Sequence, residues 1–124
     1  MKFNEIIWAD SSIEEINIKY NELMIKVFNE DLKKIVNIAC KNFAGLTNLC
    51  LWDDVDIFNA RLEKATNELF YNNILKSYRD TQGKFDNTNK NRTLDNGLLK
   101  LTITLTNGID CEIYCQSVEV EWNL

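Results

Sequence analysis

The chain has 124 residues, 45% of them hydrophobic and 27% charged, with a formal net charge of −5. That length suits one domain with its own core, and the composition excludes a disordered or fibrous chain. The absence of histidine removes the commonest general base and metal ligand, and with it every Ser-His or Cys-His nucleophile.

The opening MKFNEIIWADSS carries acids around a short apolar patch and lacks a small-residue cleavage site, so it does not read as a signal peptide. No apolar run approaches membrane-spanning length, and the expected location is the cytoplasm. Lys2 to Trp8 reads as a short strand. From Ile13 to Tyr20 the residues alternate, with Ile16, Ile18 and Tyr20 on one side. Leu23, Ile25 and Val27 continue the alternation. A tight turn at Asn21-Glu22 pairs Tyr20 with Leu23 and Ile18 with Ile25. A second turn over Asn29 to Leu32 leads into Lys33 to Cys40, which places Val36, Ile38 and Cys40 on the same core. The result is a three-stranded antiparallel meander.

Asn42 to Cys50 reads as a loop with Gly45 at a turn. Asp54 to Leu62 reads best as a strand, with Val55 and Ile57 on one face and Phe58, Ala60 and Leu62 on the other, although Phe58, Leu62 and Ala65 also suit a helix. Thr66 to Arg79 is the clear helix. Tyr71, Ile74, Leu75 and Tyr78 recur at helical spacing, Thr66 can cap the N-terminus, and Lys76 and Arg79 suit the C-terminal end of the dipole. Asp80 to Asn96 is poor in apolar residues and reads as a long loop.

Leu99, Leu101, Ile103 and Leu105 then alternate with polar residues, and after Asn107-Gly108 so do Ile109, Cys111, Ile113 and Cys115. A two-residue Asn-Gly loop would oppose Leu105 to Asp110 and Ile103 to Glu112. A three-residue loop, Thr106-Asn107-Gly108, instead pairs Leu105 with Ile109, Ile103 with Cys111, Leu101 with Ile113 and Leu99 with Cys115. That register, with Gly108 left-handed, is the predicted one. Val118, Val120 and Trp122 fall on even positions, out of phase with Ile109 to Cys115, which predicts a bulge or break at Gln116-Ser117.

The expected fold is α+β over residues 1–124. It comprises a single curved antiparallel sheet of about six to seven strands, a meander plus the C-terminal hairpin, with the 66–79 helix packed on it.

The sequence offers little chemistry. Its four cysteines, Cys40, Cys50, Cys111 and Cys115, fit neither CxxC nor the common zinc spacings, and read as reduced core thiols. The four glycines are scattered and form no phosphate-binding loop. Asp53, Asp54 and Asp56 follow Trp52; the run is a weak hint of a divalent-cation site and fits a solvated turn or an acidic recognition patch better. No cofactor or catalytic residue is implied. Trp8, Trp52 and Trp122 suit a core or core edge, and Trp52 and Trp122 could instead anchor an interface. Residues 101–124 carry Asp110, Glu112, Glu119 and Glu121 and no base, whereas 76–100 is basic, with six bases (Lys84, Lys90 and Arg92 among them) against three acids. Glu112, Glu119 and Glu121 fit the wet side of a sheet or, more sharply, an electronegative surface. Such a surface disfavours nucleic acid and favours a basic protein.

Three segments carry a resemblance. Asp10, Ser11, Ile13 and Ile16 match a D-S-x-I-x-x-I opening, although a histidine-containing variant of it is absent. Cys40, Phe43 and Gly45 match a second segment, and Trp52, Asp53, Asp54 and Ile57 match a W-D-[DE]-x-x-I step. In these the chain resembles small immunity proteins of bacterial polymorphic toxin and contact-dependent growth inhibition systems. The resemblance implies a non-enzymatic protein that neutralises a cognate, basic toxin C-terminal domain without binding nucleic acid or membrane, as a monomer or weak homodimer. The expected partner-binding residues are Trp52, Asp53, Asp54, Asp56, Glu112, Glu119, Glu121 and Trp122. An accessory interaction module using the 80–96 loop, and a carboxylate-based or metal-dependent enzyme, are the competing readings.

Overall fold

A computed structural model describes residues 2–48, 55–65 and 98–122. The described strands are β1 (Ser12–Lys19), β2 (Glu22–Asn29), β3 (Lys34–Lys41), β4 (Gly45–Thr47), β5 (Ile57–Lys64), β6 (Leu99–Leu105), β7 (Asp110–Cys115) and β8 (Ser117–Trp122). They form two four-stranded antiparallel sheets, ordered β1-β2-β3-β8 and β4-β7-β6-β5. This corrects the α+β expectation of one sheet backed by a helix. The apolar face of the first sheet (Leu23, Ile25, Val27, Val36, Ile38 and Cys40) shares one core with the apolar face of the second (Ile57, Ala60, Leu101, Ile103, Leu105, Cys111, Ile113 and Cys115). A second half-buried sheet satisfies the first as well as a helix does. The only helical element among the described residues is a 3-10 turn, Phe3–Glu5. The 66–79 segment predicted as helix lies outside them, as does the 80–96 loop.

The C-terminal hairpin has the predicted register: Leu99 opposes Cys115, Leu101 opposes Ile113 and Ile103 opposes Cys111. The Gly108 amide donates to the Leu105 carbonyl at 2.9 Å, and Gly108 has φ +87°. The predicted break is also present. β7 ends at Cys115, β8 starts at Ser117, and the Gln116 amide donates to the Lys41 carbonyl at 3.0 Å. There the chain leaves the second sheet for the first. Val118, Val120 and Trp122 consequently pack against the shared core and pair with Cys40, Ile38 and Val36.

Four local expectations are corrected. Lys2 to Trp8 is not a strand. Phe3 stacks on Trp8 with ring centroids 4.9 Å apart, and Trp8 Nε1 donates to the Phe3 carbonyl at 3.2 Å, so the chain must curl to bury both rings. The β1–β2 turn is Tyr20-Asn21, because Ile18 opposes Leu23 and Ile16 opposes Ile25. Gly45 lies within β4, opposite Tyr114, rather than at a turn. In β5 a bulge between Ile57 and Asn59 puts Ile57, Ala60 and Leu62 on the core and leaves Phe58 63% exposed, so Phe58 does not share a face with Ala60.

Candidate binding face

The outer faces of the two sheets differ in access to solvent. On the second sheet Lys100, Thr102 and Tyr114 are buried, with Tyr114 at 0% and Thr102 at 1% exposure. Lys100 Nζ lies 3.6 Å from Glu112 and 3.9 Å from Glu63. Because Lys100 is nearly inaccessible, these carboxylates neutralise a charge that would otherwise be costly to bury.

The first sheet is open. Antiparallel pairing sets its outer residues in rows: Glu15, Lys26, Asn37 and Glu121; then Asn17, Met24, Ala39 and Glu119; then Lys19, Glu22, Lys41 and Ser117. Glu15, Asn17, Lys19, Glu119 and Glu121 are exposed. Lys41 Nζ meets Glu119 at 3.3 Å, an exposed pair worth at most about 1 kcal/mol. At the hairpin end, Asn17, Lys19, Tyr20, Asn21, Glu22 and Met24 line a concavity of about 260 Å³. Tyr20 is 90% exposed with φ +57°, a conformation bulky residues rarely adopt. Lys19 Nζ sits 5.7 Å from the centre of its ring. An aromatic held out on a two-residue turn beside a largely apolar concavity offers a contact surface of the kind that anchors protein interfaces.

The expected partner-binding residues are therefore not gathered in one place. Glu119 and Glu121 share the open face of the first sheet. Glu112 belongs to the outer face of the second and is ion-paired there. Asp56 sits at the rim, where it bridges Ser12 and its carbonyl accepts from the Thr106 amide at 2.9 Å. Trp122 is half-buried and packs against the core, the core reading of that residue. Trp52, Asp53 and Asp54 lie outside the described residues, as do Lys84, Lys90 and Arg92. Tyr20, Lys19 and Asn17 escaped sequence reasoning. Their signal was the turn position, which alternation left open by one residue and the register by two.

Among the described residues no three histidine, cysteine, aspartate or glutamate side chains gather where they could hold a metal ion. Cys40, Cys111 and Cys115 are buried free thiols. The hydrogen bond between Cys40 and Cys115, together with burial, pushes the Cys40 thiol far above its ordinary range, so it stays protonated and unreactive. No described helix is long and apolar enough to cross a membrane. Comparison of the chain with protein-family models, curated proteins and solved structures gave no match.

Proposed function

We propose that this protein is a non-enzymatic binding module whose specific task is to neutralise a cognate bacterial toxin domain. The observation that carries the reading is the open outer face of the first sheet. It ends in the exposed Tyr20 concavity and presents Glu119 and Glu121 to solvent, on a chain of net charge −5. Occlusion needs a shaped, charged surface and no reacting group. A basic toxin domain would gain faster encounter from the net negative charge of the chain and complementarity from Glu119 and Glu121. The resemblance of the 10–16, 40–45 and 52–57 segments to immunity proteins supports the same role, and such a protein acts in the cytoplasm that its toxin enters.

The test is to identify the product of the gene immediately upstream, which is expected to end in a toxin domain, and to co-express it with this protein. Protection and co-purification are expected. Replacing Glu119 and Glu121 together by Lys should weaken the complex about tenfold or more, mainly through slower association. A neighbouring domain that remains toxic and does not co-purify would overturn the reading.

A further inference from the structure

We infer that β1 is a self-pairing edge through which two copies of this chain join their first sheets. Among the described residues β1 pairs along its length only with β2, while its start is held to the second sheet by the Ser12–Asp56 bridge. Glu15 to Lys19 therefore forms an open edge, and Ile18 on it is 52% exposed. Lys19 and Glu22 flank a two-residue loop and so form a hydrogen-bonded pair; by alternation, the backbone groups of Ile16 and Ile18 point to the open side. An unprotected edge of this kind is a template for another strand.

The sequence of the edge selects the occupant. Two identical antiparallel strands in one sheet are related by a two-fold axis perpendicular to it, so opposed residues lie on the same face and their numbers have equal parity. With the axis at Asn17, Glu15 meets Lys19 of the second copy, Ile16 meets Ile18, Asn17 meets Asn17, and Lys19 meets Glu15. Every charge is opposed by its opposite and every apolar residue by an apolar one. An axis at Ile16 sets Glu14 against Ile18 and Glu15 against Asn17. An axis at Ile18 sets Asn17 against Lys19 and Ile16 against the turn residue Tyr20. The Glu-Ile-Asn-Ile-Lys segment is self-complementary in the first register alone. The contact is short, which makes the dimer weak and concentration-dependent. It extends the open face from one copy to the next and does not depend on what that face binds.

Sedimentation velocity over a wide concentration range tests it, with circular dichroism confirming that each variant is folded. The wild type is expected to show a reversible monomer–dimer equilibrium. Lys19→Glu and Glu15→Lys each oppose like charges twice across the axis and should raise the dimer dissociation constant about tenfold or more. The double variant Glu15→Lys/Lys19→Glu, and an equimolar mixture of the two single variants, should restore dimers. A wild type that stays monomeric to millimolar concentration overturns the inference. So do single variants that dimerise like wild type, or a charge swap that fails to rescue.

Discussion

The side chain of Asn4 pairs with both backbone groups of Leu62. Its Nδ2 donates to the Leu62 carbonyl at 2.8 Å, and its Oδ1 accepts from the Leu62 amide at 2.8 Å. Leu62 lies on β5, which among the described residues pairs only with β6, so Asn4 does for the other edge of β5 what a further strand would do. Asn4→Ala should lower unfolding free energy by roughly 1 kcal/mol, the net worth of a partly solvated hydrogen-bonded pair. Asn4→Asp keeps the acceptor but sets a carboxylate against the Leu62 carbonyl, so its loss should be at least as large. Urea denaturation at neutral pH measures both, and two unchanged midpoints would show that this pairing does not stabilise the edge.

The sequence and the structure agree where chemistry leaves one solution and part where it leaves two. The β6–β7 register is legible because a shift by one residue sets Leu105 against Asp110, and only the three-residue loop with Gly108 avoids it. The β1–β2 register is not, because a shift by two residues keeps Ile16, Ile18, Leu23 and Ile25 on the same face. Alternation is satisfied by either, and the turn settles at Tyr20-Asn21. Alternation likewise says that the first sheet has an apolar face without saying whether a helix or a sheet covers it. The acidic residues follow the same logic. Glu112 and Glu119 both read as the wet side of one hairpin, but the break at Gln116 carries them to different sheets.

Gly108 should tolerate substitution only at the expense of its backbone. A Cβ there meets nothing within 4 Å, so space is not the constraint; φ +87° is. Gly108→Ala should destabilise by about 1 kcal/mol, and Gly108→Asn by less, because asparagine enters the left-handed region more readily. Denaturant midpoints of the two variants give the order. An alanine variant as stable as wild type would mean the loop relaxes to another form.

Tyr20 should trade stability against binding. Its φ of +57° costs about 1 kcal/mol or more that asparagine would largely avoid, while the Lys19–ring contact it loses is solvent-exposed and weak. Tyr20→Asn is therefore expected to raise the melting temperature by a few degrees. If the hairpin concavity is the contact site, the same variant should bind the proposed toxin partner about tenfold or more weakly, as loss of an exposed aromatic anchor does. Calorimetric melting and titration of the complex separate the two effects. A destabilised variant would show that the tyrosine is held by packing rather than strained for contact.

Cys40 should make the fold sensitive to alkaline pH. An unfolded cysteine gives up its proton near pH 8.5, whereas the hydrogen bond to Cys115 and burial hold the folded Cys40 thiol far higher. The folded value is raised, so the stabilisation is fully present below the unfolded value and is lost progressively as pH rises beyond it. The unfolded state then sheds a proton that the folded state keeps, at up to about 1.4 kcal/mol per pH unit. Urea unfolding from pH 8.5 to 10 should show wild-type stability falling more steeply than that of the double variant Cys40→Ala/Cys115→Ala, which starts lower because it leaves cavities but has neither member of the pair, the folded Cys115 thiol being lowered by the same hydrogen bond that raises Cys40. Lysine and tyrosine titration is common to both proteins and cancels in the difference between slopes. Parallel curves would mean that the Cys40–Cys115 pair gives up its protons as readily between the two sheets as in the open chain.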